Sequence, residues 1–113
     1  MLNTNRLKNW RKPEFDADGW TKYGWRCQNP DGLKLGKCVD IGCFSYLNAK
    51  YGIEIGNNVQ IGSHCAIYSD NTENSTQGKV VIGKNSLIGS YTLILPNTVI
   101  PTDSKIKARS IIK

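Results

Sequence analysis

His64 is the single histidine of a 113-residue chain, set in Ile61-Gly62-Ser63-His64-Cys65-Ala66. An imidazole takes up and returns a proton near neutral pH, so His64 is the candidate general base for a group transfer. Asp70 and Glu73 follow in the wholly polar run from Ser69 to Gly78. Carboxylates there could grip the hydroxyls of a ligand or orient the imidazole. Lys105, Lys107, Arg109 and Lys113 close the chain with no acid among them, which makes a landing site for a polyphosphate. Each reading has a plain counterpart. Histidine also suits a left-handed backbone corner, loop carboxylates are ordinarily solvated, and a basic end is ordinarily a solvated end.

The four cysteines are Cys27, Cys38, Cys43 and Cys65, and none forms a CxxC pair. They read as reduced thiols of a cytosolic protein, with Cys65 as a small buried hydrophobe. No metal site is expected from so few ligands.

Whatever holds these groups follows a period of six. Isoleucine recurs at Ile82, Ile88, Ile94, Ile100, Ile106 and Ile112, and aliphatics at Leu35, Ile41 and Leu47 and at Ile55, Ile61 and Ile67. Four residues after most of these stands a small side chain, as at Val39, Ser45, Val59, Cys65, Ser86, Thr92, Thr98, Ser104 and Ser110. Helices repeat at 3.6 and strands at 2, so neither explains the pattern. A parallel β-helix does. One six-residue unit makes a short strand and a corner, and three units close a triangular coil. The aliphatic and the small residue both point inward, and stacked coils bury a column that no single coil could bury. The corners then fall at Asn58, His64, Asn85, Tyr91, Asn97 and Asp103. Asn, Asp and His tolerate the left-handed backbone a corner needs.

Residues 1–32 lack the period and read as an irregular capping segment, with the repeat domain spanning 33–113. Pro13, Gly19, Gly24 and Pro30 discourage long elements there. A short helix over about Thr4–Lys12 is expected. Trp10, Trp20 and Trp25 are expected to cover the open end of the stack, whose apolar interior and strand edges need a lid. The spacing of eight between Leu47 and Ile55 places two extra residues near Ala49–Gly52. The spacing of fifteen between Ile67 and Ile82 makes Ser69–Gly78 a loop. About four coils result.

Lys and Arg total 15 against 9 Asp and Glu, for a net charge of +6. The basic residues form no long run, so nucleic acid is not the expected partner. No apolar stretch reaches the ~20 residues of a membrane span. The first residues lack the apolar core of a signal peptide, so the expected location is cytoplasmic.

From Leu35 to Lys113 the chain resembles the left-handed parallel β-helix of the hexapeptide-repeat acyltransferases. The left hand comes from that resemblance alone, since parallel crossovers are ordinarily right-handed. The resemblance implies an acetyl-CoA-dependent acyltransferase of the sugar or nucleotide-sugar type. Its acceptor would be a nucleotide-linked amino sugar for surface polysaccharide. It implies a homotrimer with clefts between subunits, and His64 as the base at a corner. Coenzyme A would lie along the coils. Its phosphates would meet Lys105, Lys107 and Arg109, and its pantetheine arm would pass the small residues Ser90 and Ala108. Asp70 and Glu73 would contact the acceptor. Relatives often carry a second histidine one coil later, where this chain has Tyr91. They also usually continue past the last coil with a short tail, so a missing tail or a truncated sequence is expected after Lys113. The γ-class carbonic anhydrases share the fold but need three histidines for zinc, which one histidine per chain does not supply. The other reading is a catalytically silent β-helix serving as an assembly or capping module.

Overall fold

A computed structural model describes residues 8–113. β1 is Arg26–Gln28. Then come β2 (Leu33–Leu35), β3 (Asp40–Ile41) and β4 (Tyr46–Asn48), and β5 (Ile53–Ile55), β6 (Gln60–Ile61) and β7 (Ala66–Tyr68). A hairpin of β8 (Asp70–Asn71) and β9 (Thr76–Gln77) interrupts the series. It resumes with β10 (Val80–Ile82), β11 (Leu87–Ile88) and β12 (Leu93–Ile94), then β13 (Val99–Ile100), β14 (Lys105–Ile106) and β15 (Ile111–Ile112).

Strands of like position stack into three parallel sheets. The first face is β1-β4-β7-β12-β15, the second β2-β5-β10-β13, and the third β3-β6-β11-β14. Among the described residues, four three-stranded coils and one extra strand make the stack, so the all-β parallel helix and its coil number stand as expected. The extra strand, β1, lies inside the segment expected as cap, and Cys27 pairs in register with Leu47.

The period of six becomes three interior columns. Cys27, Leu47, Ile67, Ile94 and Ile112 run up the first face. Leu35, Ile55, Ile82 and Ile100 run up the second. Ile41, Ile61, Ile88 and Ile106 run up the third. The small residues join them, with Val59, Cys65, Ser86 and Thr92 buried almost completely. Buried hydroxyls need partners, and they find carbonyls of the neighbouring coil. Ser45 Oγ donates to Gly62 O at 3.0 Å and Thr92 Oγ1 to Lys107 O at 3.3 Å.

All six expected corners adopt a left-handed backbone, with φ from 56° to 66°. Cys38, Phe44 and Arg109 do the same. Glycines after the aliphatics answer a different need, close approach between coils. A Cβ on Gly62 would stand 2.6 Å from Ser90 N, and one on Gly89 would stand 2.3 Å from Ala108 N.

The lid is made by two of the three tryptophans. Trp25 is buried and meets Phe15 edge-on at 5.6 Å. Trp10 donates its indole N–H to Val39 O at 2.8 Å. Trp20 departs from expectation. It sits on an antiparallel bridge to Arg26 and is 44 % exposed. The helix expected over 4–12 lies in part outside the described residues, and Lys8–Lys12 is turn and irregular backbone.

Candidate functional site

One corner of the prism lies between the third and first faces. It carries Phe44, His64, Tyr91 and Arg109, each two residues before a strand of the first face. Paired strands lie about 4.8 Å apart, so planar groups at equivalent corners stack at that spacing. The His64 and Tyr91 rings are 4.6 Å apart and 4° from parallel. Phe44 lies on the other side at 5.1 Å, tilted by 35°. The imidazole is exposed yet held between two rings. Its Nδ1 is 3.1 Å from Ser63 Oγ, and Nε2 has no partner among the described residues. The clamp therefore presents one ring nitrogen to solvent.

The backbone beside His64 ties this corner to the next coil. Ser63 N–H donates to Ser90 Oγ at 3.1 Å, and Arg109 N–H donates to Ser90 O at 2.9 Å. Cys65 is no nucleophile here. It is buried, its Sγ donates to Gly89 O at 3.3 Å, and burial pushes its thiol pKa up.

Two hollows open on the faces that meet at this corner. On the third face, a hollow of about 400 Å³ is lined by Gly62, Gly89, Ser90, Lys105 and Lys107 among others. Three of the five expected cofactor residues thus converge. The other two adjoin them. The backbone of Ala108 packs on Gly89, and Arg109 hydrogen-bonds to Ser90. Lys105, Lys107 and Arg109 are exposed and have no acidic partner among the described residues.

The second hollow, about 490 Å³, lies between the first face and the β8–β9 hairpin. Asp70 and Glu73 line it together with Gln28, Tyr46, Asn48 and Tyr68. The polar run expected as loop is this hairpin, with Asp70 opposite Gln77 and Asn71 opposite Thr76. Asn71 Oδ1 accepts from Glu73 N–H at 3.3 Å and Asn74 Oδ1 from Thr76 N–H at 3.2 Å, which shapes its tip. Within one chain His64 and Asp70 do not meet. His64 precedes β7 by two residues and Asp70 follows it by two, at opposite corners of the first face.

Sequence reasoning missed Phe44, Tyr46 and Tyr68. Aromatic residues at outward strand or corner positions were the available signal, but outward positions do not repeat, so nothing in the period marked them. Among the described residues, no group of three or more His, Cys, Asp or Glu could hold a metal ion. No helix among them is long and apolar enough to cross a membrane.

No family model matches the chain, and no curated protein matches it. Two solved structures share its fold. Both are variants of AntD, an N-acyltransferase from Bacillus cereus. One, in complex with dTDP and coenzyme A, superposes with a TM-score of 0.63 at 23% identity, over 82% of this chain and 68% of the other. The other, in complex with dTDP-4-amino-4,6-dideoxyglucose and coenzyme A, gives a TM-score of 0.57 at 21% identity, over 98% and 78%.

Proposed function

We propose that the chain transfers an acetyl group from acetyl-CoA to the amino group of a nucleotide-linked sugar. The observation that carries this is the corner itself. A clamped imidazole with one unengaged nitrogen stands beside a hollow lined by Ser90, Lys105 and Lys107. The two AntD structures support the reading, because those proteins hold coenzyme A and a nucleotide or nucleotide amino sugar on the same fold.

Coenzyme A would lie along the third face, with its phosphates on Lys105, Lys107 and Arg109. Ser90 and Ala108 would flank its pantetheine arm. The acceptor amine attacks the thioester carbonyl while His64 Nε2 takes its proton. A backbone N–H would steady the oxyanion. Collapse expels the coenzyme A thiolate, and the imidazolium returns the proton to that sulfur. The products are an amide and a free thiol. Asp70 and Glu73 would hold the acceptor. The setting that suits such a product is cytoplasmic synthesis of surface polysaccharide.

His64 and Asp70 occupy opposite corners, so a site using both needs two copies of the chain. A homotrimer supplies three such sites by symmetry. A monomer in sedimentation at micromolar concentration would remove this arrangement.

The test is acetyl transfer to a panel of nucleotide amino sugars, read as thiol release. His64→Ala should lose about 10²–10⁴-fold in rate and stay folded. An active parent whose alanine variant loses less than about tenfold would return His64 to a corner role.

A further inference from the structure

The hollow beneath the hairpin contains a carboxylate without a partner among the described residues. Asp70 is only 9 % exposed. It has neither a side-chain hydrogen bond nor an ion pair among the described residues. No fully buried side-chain oxygen among those residues lacks a partner, so the Asp70 carboxylate retains an opening, and that opening is the hollow it lines. A side chain this deeply set without a partner among the described residues calls for a reason. A ligand that donates hydrogen bonds supplies one.

The surroundings restrict that ligand. Tyr46 is fixed from two sides, with the Arg26 guanidinium 5.8 Å from its ring centre and its hydroxyl hydrogen-bonded to Gln28 Oε1. Tyr68 leans on it at 5.8 Å and 56°, and both remain partly exposed. Asn48 Oδ1 accepts from Lys50 N–H at 3.1 Å, which leaves its amide hydrogens to the hollow. Among the described residues, neither lysine nor arginine lines the space. The lining thus offers an aromatic face, an anionic acceptor and a neutral donor. A phosphate would meet repulsion from Asp70 and Glu73, with no lining cation among the described residues to offset it. A hydroxyl-rich ring has C–H faces for the aromatic and hydrogens for the carboxylate. An ammonium on that ring adds charge attraction and a cation–π contact.

We propose that this hollow is a saccharide subsite that selects amino sugars, with the ring against Tyr68 and its ammonium and hydroxyl hydrogens on Asp70. The proposal rests on the acyl-transfer reading above and extends it by naming what recognises the acceptor. Tyr68 and Asp70 discriminate by ring shape and charge, and the phosphates of a nucleotide sugar extend away from this lining.

The experiment is amide chemical-shift mapping of the isotope-labelled full chain with three probes: methyl glucosaminide, methyl glucoside and inorganic phosphate. Methyl glucosaminide should shift the amides of Tyr68, Asp70 and Asn71, methyl glucoside less, and phosphate not at all. Asp70→Asn keeps the side chain's shape. It should weaken the amino sugar about tenfold or more, as expected for a lost hydrogen bond to a charged group, and abolish its advantage over the neutral sugar. Tyr68→Leu should weaken both sugars. Thermal melting of each variant checks that it folds. Sugars that shift only other residues, or parent-like binding by both folded variants, would overturn the subsite. The transfer assay separates the two readings. Sugar binding here without transfer sinks the enzyme reading and keeps the subsite. Transfer with an unchanged KM in Asp70→Asn sinks the subsite and keeps the enzyme.

Discussion

Ile88 offers a quantitative check on the stack. Its side chain is 3 % exposed and lies in register between Ile61 below and Ile106 above. Ile88→Ala removes apolar contacts on both sides. Loss of such a buried side chain costs about 2–5 kcal/mol, depending on how far the site can collapse. Collapse is poor here. The strand is pinned by Gly62 N–H to Ile88 O at 2.9 Å, and the next coil by Gly89 N–H to Ile106 O at 2.8 Å. Neither coil can move inward without breaking its ladder, so the upper part of the range applies, about 3–5 kcal/mol. At about 4 °C per kcal/mol for a domain near this size, the melting temperature should fall by about 12–20 °C. The control is Val99→Ala on an outward position, 69 % exposed, which should change stability by no more than about 0.5 kcal/mol. Both are read by circular dichroism and calorimetry at one protein concentration. Equal shifts for the two variants would refute the assignment of inward and outward positions.

Three further outcomes follow from particular contacts. Gly89→Ala should destabilise although alanine is a small addition, because its Cβ would stand 2.3 Å from Ala108 N and backbone cannot yield as a flexible side chain can; a melting temperature unchanged from the parent would count against the close approach. Reversing Lys105, Lys107 and Arg109 to glutamate should weaken coenzyme A binding and flatten its dependence on salt, since exposed charge contacts are screened; calorimetry showing parent-like affinity would displace the phosphates from this end. Cys27 is buried in the first-face column, and burial pushes its thiol from 9.0 up to about 12 against the opposing pull of Arg26. The fold holds the neutral thiol, so this contribution is complete below pH 9 and is lost as pH rises toward 12, where the unfolded chain alone gains by ionising. At pH 8 a disulfide reagent should modify exposed Cys43 quickly and Cys27 only on unfolding; a single rate for all four thiols would contradict the burial.

The sequence alone determined the stack. An interior that admits one aliphatic column per face forces a strict period, and the period survives in Ile82 through Ile112 without any knowledge of partners. The corners were legible for the same reason, since Asn58, Asn85, Asn97 and Asp103 are residue types selected by a backbone angle. His64 stood out by uniqueness, and Lys105, Lys107, Arg109 and Lys113 by the absence of acids among them. Outward positions obey no such rule. That His64 would be clamped by Phe44 and Tyr91 depended on three corners 20 and 27 residues apart falling on one edge, which insertions of unequal length decide. The hairpin was illegible because Asp70–Gln77 lacks the apolar alternation that marks a strand, and local Asn71 and Asn74 turns shape it instead. Tertiary structure alone gathered Tyr46 and Tyr68 with Asp70 around one hollow, and put His64 at the far end of β7 from Asp70. A repeat specifies what each residue faces within its coil; what gathers on the outside depends on how the coils, with their interruptions, come into register.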